Sequence, residues 1–107
     1  MKAVFLFFPL ILFAFSNIGE ITNINEIMKV YQNRLNCLKS HEPTHCIERY
    51  PLDPRNDALD KTFSMSFPKA YYRAKLKRDL KYLERRKLCY GRSLDERELK
   101  ECLKSLR

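Results

Sequence analysis

The stretch KAYYRAKLKRDLKYLERRKLCYG, residues 69–91, decides the fold. Tyr72, Leu76, Leu80 and Leu83 recur at three- and four-residue steps, so a helix places them on one stripe. Lys77, Arg78, Lys81 and Arg85 fall on the opposite side, while Lys87 lands near the apolar stripe. The pattern predicts an amphipathic helix over about 69–90, with Gly91 as its C-terminal stop.

Working outward, Ser93 with Glu96 three residues on has the form of a capping box. Leu99, Cys102, Leu103 and Leu106 continue it at helical spacing, which predicts a last helix from Ser93. Upstream, Asn23 with Glu26 predicts a start for a helix over 24–40, with Ile24, Ile27, Met28, Tyr31, Leu35 and Leu38 on one face. His41-Glu42-Pro43 ends it, because a residue before proline is pushed out of helical dihedrals. A short helix starting at Pro43 or Thr44 covers HCIERY and is stopped by Pro51 and Pro54. Residues 51–69 read as the least regular part, with DPRND as turn chemistry and a short helix presenting Leu59, Phe63 and Phe67. No run alternates with period two for long enough to argue a strand. The expected fold class is therefore all-α: a small disulfide-stapled bundle of three main helices plus a short one, with one long irregular connection.

The first residues read as an address. Met1-Lys2 precede an apolar run of 13, Ala3–Phe15, and Ala14 and Ser16 are small residues at −3 and −1 of a cleavage site. That is the form of a secretory signal peptide. The run contains Pro9 and falls short of the about 20 residues a membrane span requires. The expected organisation is a signal peptide over 1–16, removed after Ser16, and a single domain over 17–107 with no transmembrane segment. The expected localisation is secreted and extracellular.

Cys37, Cys46, Cys89 and Cys102 are an even set in a short secreted chain, which implies two disulfides. With Cys89 at the end of one helix and Cys102 nine residues into the next, the two stand about 13 Å apart along the axis. Bridged Cα atoms lie within about 7 Å. Of the two pairings that remain, the nested one, Cys37–Cys102 with Cys46–Cys89, is preferred, each bond closing a long loop and contributing about 4 kcal/mol. No N-x-S/T sequon occurs.

Between the first two cysteines lies His41-Glu42-Pro43-Thr44-His45, which matches the H-E-x-x-H pattern of zinc proteases. There, two histidines one helical turn apart hold zinc and the glutamate acts as general base. Pro43 in the middle opposes a helix running through the motif, and His41 and His45 are the only histidines. A Cys₂His₂ zinc site of Cys37, His41, His45 and Cys46 conflicts with an oxidising compartment and with two adjacent ligands. The motif reads as a polar turn, so no catalytic residue, metal ligand or cofactor is expected. The two glycines of the chain form no phosphate loop.

The formal net charge is +8, unevenly spread. Residues 17–68 hold 6 basic and 7 acidic side chains, whereas residues 69–107 hold 14 basic and 6 acidic. An anionic partner is expected: an extracellular protein, or an anionic glycan or lipid surface. Nucleic acid fits the charge but not the secretory address. Lys77, Arg78, Lys81 and Arg85 are the expected binding residues. Tyr71 and Tyr72, opening the helix, are the candidate exposed contact, against core packing as the preferred use of the tyrosines. Arg85-Arg86-Lys87 matches a dibasic processing site but falls inside the expected helix. The functional expectation is a secreted, non-enzymatic binding protein or effector acting through its basic C-terminal half. A carrier of small apolar ligands and a membrane-active defence protein are the alternatives.

Overall fold

The computed structural model describes the backbone of residues 2–106 and the side chains of residues 17–106. The side chains of the expected signal peptide, residues 1–16, thus lie outside the described ones. Among the described residues there are five helices and no strand: α1 (Lys2–Cys37), α2 (Pro43–Arg49), α3 (Pro54–Ser66), α4 (Lys69–Arg92) and α5 (Glu96–Ser105). Among them no helix is long and apolar enough to cross a membrane.

The all-helical class agrees with the hydrophobic periodicity, but several boundaries differ. Asn23 does not cap α1; it is exposed inside a 36-residue helix that runs through it. The span expected to be least regular contains α3, of 13 residues. Its start is well made: the Asp53 carboxylate accepts from the Asn56 backbone N–H at 2.8 Å, and Pro54 supplies helical φ at the first position. The DPRND run read as turn chemistry is thus a helix start. Gly91 does not stop α4, which continues to Arg92, and no glycine has positive φ. The cap of the last helix is Asp95, not Ser93: its carboxylate accepts from the Glu98 N–H at 2.8 Å, while Glu98 accepts from the Leu94 N–H at 2.8 Å.

By its contacts the chain divides into two compact units. One is Glu26–Lys81; the other joins the chain up to Asn25 with the chain from Tyr82 on. At 1.5 Å per residue, α1 and α4 are about 54 and 36 Å long, more than one small core can cover, and each contributes to both units. In the 26–81 unit the buried side chains include Tyr31, Leu38, Cys46, Ile47, Tyr72 and Leu76. In the other they include Ile24, Leu83 and Cys89, with the Asn17 amide donating to the Tyr90 carbonyl at 3.0 Å.

The disulfides correct the nested pairing. Cys37 is joined to Cys46 and Cys89 to Cys102, with Cα atoms 5.7 and 5.6 Å apart. The reason lies in the helix boundaries. Because α4 runs three residues past Cys89 and α5 starts only at Glu96, Cys89 stands about 4.5 Å before one end and Cys102 about 9 Å after the other. The offset falls to about 4.5 Å, within reach of a bridge. Cys37 closes on Cys46 across the turn between α1 and α2.

Candidate anion-binding surface

The 26–81 unit is organised around a buried cation. Arg34 of α1 is fully buried and spends its guanidinium on three elements. Its Nε donates to the Tyr50 carbonyl at 2.8 Å, its Nη2 to Asp57 Oδ1 at 2.7 Å and its Nη1 to Asp60 Oδ2 at 3.0 Å. From α4, the Tyr72 hydroxyl donates to Asp60 Oδ2 at 3.1 Å, and Lys75 Nζ donates to Asp60 Oδ1 at 3.2 Å and Asp79 Oδ2 at 3.0 Å. Asp57 also accepts from the Leu52 N–H at 3.0 Å. Burial first, and then the Asp60 charge, push the Tyr72 hydroxyl well above its ordinary pKa, so it stays a donor. Burial alone would lower Lys75, but the hydrogen bond to Asp79 and the Asp60 charge outweigh it and the ammonium is held above its usual value. Tyr72 is a core residue, as its place on the apolar stripe predicts, and not an exposed contact. Tyr71 beside it is exposed.

This network fixes α1 against α4, and a groove of about 380 Å³ opens along their outer faces. Gln32, Leu35, Asn36 and Lys39 line it from α1; Arg73 and Lys77 line it from α4. The spacings explain the wall: 32, 35, 36 and 39 share one helix face, as do 73 and 77. Three cations, two amides and one leucine meet there without a carboxylate. Lys75, the cation between Arg73 and Lys77, is taken by Asp60 and Asp79. Among the described residues, no salt bridge engages Lys39, Lys69, Arg73, Lys77, Arg78 or Lys81.

The α4 cations also follow a rule. Lys69, Arg73, Lys77, Lys81 and Arg85 recur at every fourth position. Like charges at that spacing are neighbours and cost about 0.2–0.5 kcal/mol per pair. From Lys69 to Lys81 the row extends about 18 Å. The row lowers helix stability and meets no carboxylate among the described residues. Of the expected binding residues, Lys77, Arg78 and Lys81 are exposed in the 26–81 unit, and Arg85 is exposed in the other. The groove adds Lys39, Arg73, Gln32 and Asn36. Reading α4 by its apolar stripe passed over the four-residue recurrence that marks Lys69 and Arg73. Lys39 carries no local signal, since only packing of α1 on α4 brings it there.

The HEPTH segment does not lie on one helix. His41 is in the turn, α2 begins at Pro43, and His45 is in α2. Both histidines are exposed, with ring centroids 4.6 Å apart. The neighbouring Cys37 and Cys46 sulfurs are bonded to each other and offer no thiolate. Among the described residues no group of three or more His, Cys, Asp or Glu side chains converges as a metal site. Arg85-Arg86-Lys87 lies within α4. Comparison of the chain with protein-family models, with curated proteins and with solved structures finds no match.

Proposed function

We propose that this is a secreted, non-enzymatic binding protein that recognises an anionic extracellular macromolecule, foremost a sulfated or carboxylated glycan, through the cationic face of α4. One observation carries the reading: the groove lined by Lys39, Arg73 and Lys77 gathers three cations and two amides with no carboxylate. The amides suit sugar hydroxyls, the cations suit sulfate or carboxylate groups, and Leu35 suits the apolar face of a ring. The expected leader and the two disulfides favour an oxidising, extracellular setting.

The test is retention on immobilised heparin of protein collected from the medium of a secreting host. Elution is expected only at raised salt, with affinity falling steeply as ionic strength rises. Three exposed cations at about 0.5 kcal/mol each amount to about tenfold in affinity. The triple variant Lys39→Ala, Arg73→Ala, Lys77→Ala should therefore bind about tenfold more weakly at physiological salt. Removing the same charge from α5 (Arg97→Ala, Lys100→Ala, Lys104→Ala) should change retention little. Equal losses from both triples would mean that net charge, not this surface, does the binding.

A further inference from the structure

The turn between α3 and α4 leaves apolar side chains in water that the groove does not use. Leu59, Met65, Phe67 and Tyr71 are 65%, 74%, 49% and 58% exposed. Leu59 and Phe63 lie one helical turn apart on α3. The Phe67 ring rests on Phe63 with centroids 4.7 Å apart, and Tyr71 meets Phe67 edge-on at 5.9 Å. The turn is held in place: the Phe67 N–H donates to the Phe63 carbonyl at 3.0 Å and the Tyr71 N–H to the Pro68 carbonyl at 2.9 Å. The aromatic strip is thus presented on a defined backbone.

Past Asp60 the charge along this stretch of chain is of one sign. From Lys61 to Arg78 the chain contains Lys61, Lys69, Arg73, Lys75, Lys77 and Arg78 and no acidic residue. Lys61 reaches Glu48 at 3.4 Å and Lys75 is tied to Asp60 and Asp79. Lys69, Arg73, Lys77 and Arg78 remain for a ligand. A glycan chain seated in the groove would be met by cations and amides and would leave Met65 and Phe67 in water. A surface that needs both features offers hydrocarbon beneath a layer of negative charge.

We infer that the α3–α4 turn is a peripheral seat for an anionic phospholipid membrane, with Met65, Phe67 and Tyr71 entering the headgroup–acyl boundary and Lys69 and Arg73 lying against the phosphates. Interfacial binding scales with the apolar area inserted and with attraction to anionic lipid. Each cation near such a surface strengthens partition by about fivefold. Aromatic side chains with a polar tip, such as Tyr71, favour that depth. The inference goes beyond glycan recognition: of the side chains it uses, only Arg73 also lines the groove.

The experiment is cosedimentation of the secreted protein with phosphatidylserine–phosphatidylcholine vesicles and with phosphatidylcholine vesicles alone. Binding is expected to the first and at least tenfold less to the second. The variant Met65→Ser, Phe67→Ser, Tyr71→Ser should lose at least about tenfold of the vesicle binding while keeping its heparin retention. Because these side chains are exposed, the variant should keep the circular dichroism of the parent. A Phe67→Trp reporter, in a chain with no other tryptophan, should shift to the blue on phosphatidylserine vesicles only. No binding to phosphatidylserine vesicles, or binding unchanged in the triple serine variant, overturns the inference and leaves glycan recognition standing. Sedimentation showing a dimer that the same substitutions dissociate also overturns it, because a second copy would then cover the strip.

Discussion

Arg34 is the residue on which the 26–81 unit turns. A buried guanidinium is expensive to desolvate, and its Coulombic return depends on full pairing. Here its Nε, Nη1 and Nη2 all donate, and its partners come from α3, α4 and the end of α2. Its role is therefore geometric: helices that could slide along one another by a turn on apolar contacts alone are held at one register. Removing one partner from such a set leaves the others charged and unpaired. Arg34→Met should lower stability by about 3–5 kcal/mol in urea unfolding, although methionine fills much of the volume. A loss below about 1 kcal/mol would show that Asp57 and Asp60 find other donors. The sequence hid this residue because it sits beside Leu35 and Leu38 in a run read for its apolar members. An arginine near a helix face is ordinarily a surface residue, and only its three-dimensional neighbours mark it as core.

At the scale of the element, α4 sets helix stability against a row of like charges. Its buried face is ordinary: Tyr72, Leu76 and Leu83 are covered. Its other face repeats like charges at the spacing where opposite charges would stabilise it. Lys77→Glu places a carboxylate between Arg73 and Lys81 and replaces two repulsive pairs with two attractive ones. The variant should be more stable by roughly 0.8–2 kcal/mol and should bind heparin more weakly. Thermal unfolding and heparin elution, measured together, read both. A variant that gains stability and keeps its affinity would mean that the row is only a solvated face. The helices themselves were legible where periodicity ran long, as in α4. Starts and stops were less so. Gly91 and Ser93 look like a stop and a cap, yet the stop lies at Arg92 and the cap at Asp95. Several residues in such a stretch satisfy the same local chemistry, and the choice among them falls to the packing of the whole segment.

At the scale of the molecule, the sulfur bridges are local braces. They join residues 9 and 13 apart in sequence, where the nested pairing would have closed much longer loops. In the chain-entropy model each short loop contributes about 3 kcal/mol rather than about 4. Each bridge closes a hairpin within its own unit, and in the 26–81 unit the union of α1, α3 and α4 falls to the Arg34 network. Proteolysis of unreduced protein should release linked peptides carrying Cys37 with Cys46 and Cys89 with Cys102. Mass spectrometry that found Cys37 linked to Cys102 would restore the nested arrangement and displace the present α5 boundary.

From residue order alone came the helical class, the amphipathic α4, the even cysteine set, the one-sided charge and the break that Pro43 makes in HEPTH. These depend on dihedral preference, on side-chain period and on composition, which are properties of neighbours along the chain. The partner of each cysteine, the burial of Arg34 and Tyr72, and the meeting of Lys39 with Arg73 and Lys77 were decided only in three dimensions. They depend on where helices end and how they pack, and a shift of one turn, about 5.4 Å, exchanges one set of neighbours for another.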